Sequence, residues 1–131
     1  MKTQKEAVKQ PDEARKSQIA LKAFFNISND WALKNEQQMV LLGKPSKATY
    51  FRWKKGEVNE LSPDTLERIS YLLGIYKALH ILFSLPEQAD NWIHRVNQAS
   101  LFSGHSALYF MLHGKMINLM ETRRYLDAQR G

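Results

Sequence analysis

Apolar residues recur at helical spacing near the start of the chain, with Ile19, Ala23 and Ile27 on one face. The spacing predicts an amphipathic helix over residues 13–27, which the polar run Ser28-Asn29-Asp30 is expected to end. No segment alternates apolar and polar residues in the way that a half-buried strand does. The pattern therefore predicts an all-α protein.

Two short helices are predicted next, separated by a tight turn. Asn35 is expected to cap the second helix, with Gln38 completing a capping box, and Gly43 should end this helix as its C′ residue. Ser46 is expected to cap the third helix, which ends near Gly56. Two short helices joined by such a turn are typical of helix-turn-helix units that bind DNA.

A long apolar helix is predicted after the third. The run Ser62-Pro63-Asp64 supplies a cap, a first-turn proline and an acid at the positive end of the helix dipole. Apolar residues occupy more than one face of this helix, so its neighbours must cover it on several sides. We therefore expect it to join the two halves of the molecule. The remaining helices are predicted from Pro86 through Ile93, over residues 106–113 and over residues 116–129.

A chain of 131 residues can hold one compact domain or two small helical units that share a core. Its composition, 44% apolar and 24% charged, is that of a globular protein. Without cysteine it forms no disulfide, which suits a reducing cytoplasm. No apolar run approaches the roughly 18 residues that span a bilayer, and residues 1–16 lack the apolar segment of a secretory signal. We therefore expect a cytoplasmic protein.

The sequence pattern divides the chain into four parts. Residues 1–12 are predicted to be a flexible basic tail, because they contain few apolar side chains. A helix-turn-helix domain is predicted over residues 13–61 and a connecting core helix over residues 62–83. Residues 84–131 are predicted to form a small helical domain of their own.

Removal of residues 1–12 is expected to leave the melting temperature nearly unchanged. So little apolar surface cannot offset the conformational entropy that is lost when these residues are ordered. Thermal melts of the full and shortened chains, followed by circular dichroism, check this expectation. A large fall in melting temperature would mean that the tail packs on the rest of the protein.

The positive charge is concentrated in the first half of the chain. Residues 1–60 carry twelve basic and seven acidic side chains, a net of +5, whereas residues 61–131 carry seven and six, a net of +1. A polyanion is therefore the expected partner of the first half, although surplus lysine also serves solubility. The segment Lys44–Lys55 alone holds five cationic residues and no acidic one.

The third helix has the composition of a helix that binds in the major groove of DNA. If Trp53 faces the core, a rotation of about 100° per residue places Thr49 and Tyr50 on the same side. Arg52 on the opposite side could donate to a guanine, and a thymine methyl group could cover Phe51. The alternative is a solvated basic helix, with Phe51 packed against another helix of the same protein. The residues predicted to bind DNA are Lys44, Ser46, Lys47, Ala48, Thr49, Phe51, Arg52 and Lys55.

Motifs for catalysis, metals and cofactors are missing from the sequence. The histidines at positions 80, 94, 105 and 113 do not pair at the i, i+4 spacing of a helical metal site. No glycine-rich phosphate loop, nucleophile elbow or dinucleotide-binding fingerprint occurs. We therefore predict a binding protein, not an enzyme, with no metal and no cofactor.

A set of short motifs is spread over residues 30–131 and is specific in combination. Its members are Trp31, Leu33, Leu41-Leu42-Gly43, Tyr50, Arg52-Trp53, Leu61-Ser62, Leu66-Glu67-Arg68-Ile69, Leu73, Ile75, Trp92, Asn97, Leu101-Phe102-Ser103-Gly104, Leu108, Gly114 and Arg124-Tyr125-Leu126-Asp127. In these residues the chain resembles the antitoxins of the MbcA/ParS/Xre group, which are partners of toxins with the RES fold.

The resemblance implies an Xre-like DNA-binding half followed by a toxin-binding half over residues 84–131. Antitoxins of this kind sequester a toxin that consumes NAD or ADP-ribosylates its target, block its NAD pocket and repress their own operon, usually as dimers. The partners implied are a cognate RES-type toxin, operator DNA and a second copy of the chain, with no membrane, and with a nucleoid location when operator is bound. The residues predicted to bind the toxin are Asn97, Phe102, Gly104, Leu108, Arg123, Arg124, Tyr125 and Gly131.

The second hypothesis from the sequence is a stand-alone transcriptional regulator with no toxin partner. Its helix-turn-helix half would bind DNA in the same way, and its C-terminal half would serve only to form dimers. A neighbouring toxin gene would separate the two hypotheses.

Overall fold

The computed structural model describes the backbone of residues 2–131 and the side chains of residues 12–131. Within this range the chain is helical and has no strand, although Val96 and Ser106 form one isolated bridge. The predicted all-α class is confirmed. None of the described helices is both long and apolar enough to cross a membrane. The helices are α1 (Lys2–Asp30), α2 (Asn35–Leu41), α3 (Lys47–Lys54), α4 (Pro63–Leu82), α5 (Pro86–Asn91), α6 (Ala107–Met111) and α7 (Met116–Gln129), with a 3-10 turn at Trp92–His94.

Helix α1 is longer than the sequence predicts, and its predicted end at Ser28 is wrong. Ser28 is buried, and Trp31 packs against the ring of Tyr76 on α4 with a centroid separation of 6.1 Å. Burial of this last turn outweighs the weak helix propensity of its polar residues. The predicted tail covers residues 1–12. Of its side chains only that of Asp12 belongs to the described part of the chain.

The start of α2 differs by one residue from the predicted capping box. Gln37, not Gln38, reaches back, and its Oε1 accepts from the amide of Lys34 at 2.9 Å. Gln38 is buried, and its Nε2 donates to the carbonyl of Leu33 at 2.9 Å. Since that side chain is used inside the domain, Asn35 begins the helix without acting as its cap.

The predicted caps and turns on either side of α3 and α4 are confirmed. Gly43 follows α2 with φ +93°. The side chain of Ser46 accepts from the amide of Thr49 at 3.1 Å, and Ser62 accepts from the amide of Thr65 at the same distance. These hydrogen bonds satisfy amides that lack a partner in the first turn of each helix.

Replacement of Gly43 by alanine is expected to destabilise the fold. The left-handed backbone alone costs about 1–2 kcal/mol with a side chain present, and a methyl group there would lie 3.1 Å from Nε of the buried Arg68. Gly56 has φ +85° and no atom within 4 Å of that position, so Gly56→Ala is the matched control. Urea denaturation should show the larger loss for Gly43→Ala. Equal losses would mean that Arg68 moves aside freely.

Helix α4 lies at the centre of the molecule. Its residues Leu72, Ile75 and Leu79 are almost completely buried. It packs against α1 from the first half of the chain and against α5 and α7 from the second. Several faces of α4 are therefore buried, as the apolar pattern predicts. This burial joins the two halves of the chain in one core.

The C-terminal residues close over an aromatic cluster. Phe102 packs edge-on against Trp92, Phe110 and Tyr125, with centroid separations of 5.8, 5.6 and 5.3 Å. The loop that carries Phe102 is closed by two backbone hydrogen bonds, Asn97 N to His105 O and Gly104 N to Asn97 O, each 3.0 Å long. The cluster thus fixes the loop between the 3-10 turn and α6.

Candidate functional site

Tyr50 anchors α3 to α2. Its ring is fully buried, and its hydroxyl lies 2.6 Å from Gln38 Oε1 and 3.0 Å from Asn35 Oδ1. Burial raises the pKa of Tyr50, and the negative charge of Glu36 raises it further, so the phenol keeps the proton that it donates. These contacts fix one side of α3 against α2 and leave the other side facing solvent.

The outer face of α3 carries the residues predicted to point away from the core. Its exposed members are Lys47, Ala48, Phe51, Arg52 and Lys55. On the opposite side Tyr50 is buried, and Thr49 and Trp53 are half-buried. The orientation predicted from helical periodicity is therefore confirmed.

The turn before α3 contributes two further candidate residues, Lys44 and Ser46. Lys44 has φ +63°, its amide donates to Met39 O at 2.8 Å, and its side chain is exposed. Ser46 is exposed at the cap of α3. Both side chains flank the end of the helix where backbone amides favour a phosphate group.

Thr49 connects the cap of α3 to Arg52, a link that sequence reasoning missed. Its Oγ1 accepts from Ser46 Oγ at 2.9 Å and from Arg52 Nη2 at 3.3 Å. The guanidinium is therefore oriented along the helix while Arg52 as a whole stays exposed. The repeated spacing of three residues, which places side chains side by side on a helix, is the signal that could have predicted this link.

Phe51 is partly exposed beside Tyr50. Its ring packs edge-on against Tyr50 at 5.1 Å and keeps 41% of its accessible surface. Lys54, in contrast, turns back towards α2, where its Nζ donates to Asn35 Oδ1 at 2.9 Å and lies 5.6 Å from the centre of the Tyr50 ring.

Two of the residues predicted to bind a toxin lie in the core. Phe102 keeps 2% and Leu108 keeps 6% of their accessible surface. They cannot belong to a contact surface of the folded chain, because the aromatic cluster and the start of α6 enclose them. The sequence did not reveal this because both residues adjoin a polar loop.

The loop between Asn97 and Gly104 remains a candidate surface. Asn97 is half-buried, and its Oδ1 accepts from the amide of Ala99 at 2.9 Å. Gly104 is half-buried with φ +83°, and its nearest side-chain neighbour, Gln98 Oε1, would lie 3.8 Å from an added Cβ. The side chain of Asn97 therefore shapes the loop, and the surface over Gly104 is open.

The basic residues predicted on α7 divide into packed and exposed ones. Arg123 lies over Gly74 of α4, so close that a Cβ there would be 2.5 Å from its guanidinium, and it pairs with Asp127 at 3.6 Å. Arg124 is exposed and lies 3.6 Å from Glu121, and Gly131 is also exposed.

Tyr125 is half-buried and stacks on Trp92 with a centroid separation of 6.3 Å. It belongs to the edge of the aromatic cluster, so only part of its ring can contact a partner. Of the predicted α7 residues, Arg124 is therefore the one best placed for such a contact.

Exposed apolar residues of the second half were not predicted as surface candidates. Val96, Tyr109 and Ile117 each keep at least half of their accessible surface. Tyr109 lies between His105 and His113, with centroid separations of 4.2 and 5.2 Å. The spacing of four residues between these three rings is the sequence signal for their shared face.

Two of the histidines, His80 and His94, are hydrogen-bonded to other parts of the protein. His80 Nε2 lies 2.8 Å from Asp90 Oδ1, and His94 Nε2 is paired with the carbonyl of Trp31 at 2.6 Å. Among residues 12–131, no three histidine or acidic side chains lie together as a metal site.

Comparisons with known proteins point to one family. Residues 10–74 match the model of the antitoxin Xre-like helix-turn-helix domain, a range that holds most of α1 and runs into α4. The chain is also similar to the uncharacterized protein y4oB of Sinorhizobium fredii (strain NBRC 101917 / NGR234). The two are 49% identical over 111 residues, which cover 85% of this chain and 84% of the relative. No solved structure matches the chain.

Proposed function

This chain belongs to the family of Xre-like helix-turn-helix antitoxins, and we propose that it neutralises a cognate toxin within a type II toxin–antitoxin system. It would bind and block a RES-type toxin that consumes NAD or ADP-ribosylates a target, and it would repress its own operon as a homodimer. One observation carries the DNA-binding part of this proposal: exposed cationic residues surround the partly exposed Phe51 on the outer face of α3. Such a face suits the major groove, where cationic side chains contact guanine and phosphates and an apolar side chain contacts a thymine methyl group.

The outer face of α3 would lie in the major groove. Arg52 would donate two N–H groups to a guanine edge, and Phe51 and Ala48 would contact thymine methyl groups. Thr49 would act by orienting Arg52 through its Oγ1.

The remaining candidates around α3 would contact the DNA backbone. Lys47 and Lys55 would contact phosphates from the ends of the helix, and Lys44 and Ser46 would do so from the preceding turn. Such contacts fix the position of the protein on the duplex without selecting a sequence.

The toxin-binding surface would use the parts of residues 84–131 that remain accessible. These are the loop from Asn97 to Gly104, Arg124 and the end of the chain at Gly131. Phe102 and Leu108 would support this surface from beneath. Arg123 and Tyr125 would contribute mainly by holding α7 on α4 and on the aromatic cluster.

Co-purification tests the proposal. A tagged chain is produced together with the product of the adjacent gene, and the complex is mixed with a labelled duplex that covers the promoter in front of both genes. We expect the chain to carry the neighbouring product, to suppress its NAD consumption and to bind the duplex. Arg52→Ala should weaken binding of the duplex and keep the partner.

Two other outcomes have distinct meanings. If the chain binds the duplex but carries no partner, the stand-alone dimeric regulator becomes the better explanation. If it binds neither, the proposed function is wrong.

A further inference from the structure

The turn between α6 and α7 lies against the turn between α2 and α3. Gly114 has φ +84°, and a Cβ there would lie 3.4 Å from Val40 Cγ1 and 3.6 Å from Lys44 Cε. The ammonium group of Lys44 is one bond beyond that Cε. A cation of the proposed DNA surface is therefore in contact with the C-terminal half of the molecule.

Two basic side chains flank Gly114 at this contact. Lys115 and His113 are exposed, and among the described residues Lys115 forms no ion pair. The Nδ1 of His113 lies 3.1 Å from Tyr109 O and 3.2 Å from Phe110 O. Since carbonyl oxygens only accept hydrogen bonds, Nδ1 carries the proton and donates to them. Nε2 lies on the opposite edge of the ring.

A neighbouring acid does not cancel this charge. Asp64 lies beside the α2–α3 turn, since a Cβ on Gly43 would be 3.3 Å from its Oδ2. That oxygen is 3.0 Å from Nε of Arg68, so the two groups neutralise each other. The net charge at the paired turns is therefore that of Lys44 and Lys115.

We propose that the DNA-binding surface continues into the C-terminal half, where Lys115 binds a phosphodiester group of the duplex that α3 engages. The inference rests on the proposed DNA binding by α3. B-DNA carries one negative charge for about every 1.7 Å of its axis, so the lysine that follows Gly114, at the turn that contacts Lys44, would have a backbone phosphate within reach. The contact adds affinity without sequence preference.

Salt dependence tests the inference, because each phosphate contact contributes to the salt slope. The affinity for the labelled promoter duplex is measured by fluorescence anisotropy at several salt concentrations. Lys115→Ala should lower the slope of log K against log salt by about 0.9 for each protomer bound, and the affinity at 0.1 M salt by about eightfold per contact.

Lys77→Ala is the matched control. Lys77 is exposed on α4, nine residues beyond Arg68 and so about 13 Å further along the helix axis. Its removal takes away the same charge and should leave the slope unchanged. If the slope of log K against log salt is the same for Lys115→Ala as for Lys77→Ala, the inference is wrong.

Failure of the inference and failure of the proposed function give different results. If Lys47→Ala weakens binding and Lys115→Ala does not, α3 binds DNA and the surface ends within the first half. If Lys47→Ala and Arg52→Ala both leave binding intact, the proposed use of α3 is wrong and the inference falls with it. Melting curves identify any variant that fails to fold.

Discussion

The affinity of this protein for the proposed operator DNA is expected to fall about 10³–10⁵-fold between about 50 and about 200 mM salt, if the proposed dimer engages roughly 6–10 phosphates. The reason is the release of counterions from DNA when the lysines around α3 neutralise phosphates. Anisotropy titrations across this range measure the effect. An affinity that hardly changes with salt would show that DNA is not the partner of the basic face.

Variants on the outer face of α3 should separate base contacts from backbone contacts. Arg52→Ala is expected to cost about 1–3 kcal/mol and to relax the preference at one base pair, whereas Lys55→Ala should weaken all sequences alike. Thr49→Val keeps the volume but removes the oxygen that accepts from Arg52 at 3.3 Å, so it should give a weaker form of the Arg52 effect. Binding to a panel of duplexes with single base-pair changes measures these differences.

One experimental result would contradict the assignment of α3 as the helix that binds DNA. A footprint that survives Arg52→Ala, Lys47→Ala and Phe51→Ala would place the DNA-binding surface elsewhere. Each of these residues is exposed, so none of the three substitutions is expected to disturb the fold.

Features set by local chemistry could be predicted from the sequence. Ser46 and Ser62 cap their helices because a hydroxyl three residues before an amide is correctly placed by the chain itself. Gly43 takes a positive φ because the end of α2 requires a left-handed residue. The direction of the α3 faces follows from helical periodicity once Tyr50 or Trp53 is assigned to the core.

Features set by distant contacts could not be predicted. Ser28 remains helical because Trp31 packs on α4, which lies more than thirty residues away. Gln38 does not cap α2, because its Oε1 accepts a hydrogen bond from the hydroxyl of Tyr50. Arg123 lies over Gly74 only because α7 packs along α4. The spacing of neighbouring residues in the sequence does not indicate any of these distant contacts.

The candidate site shows the same division. The residues around α3 depend on one helix and its preceding turn, so their exposure was predicted correctly. Phe102 and Leu108 depend on how a loop folds over Trp92, and a periodic pattern carries no information about that loop. The surface proposed for the toxin is therefore smaller than the sequence suggested.

Gly104→Trp is expected to remove protection from the toxin and to leave DNA binding intact. The change places a large ring on the open surface of the loop, where the nearest side-chain atom would lie 3.8 Å from the new Cβ. We expect the affinity for the toxin to fall by about 100-fold, which corresponds to roughly 3 kcal/mol. Removal of all residues after Met120 is a poorer test, because it also removes the buried Leu126.

Gly56→Trp is the matched control for this prediction. Gly56 has φ +85° against +83° for Gly104, so both variants carry the same backbone cost of about 1–2 kcal/mol. Growth of cells that express the toxin, together with a pull-down of the toxin, should show a loss for Gly104→Trp alone. Equal losses for both variants would point to reduced stability, not to a contact. If cells with Gly104→Trp remain protected, the inhibitory surface lies elsewhere, with the exposed part of α4 as the next candidate.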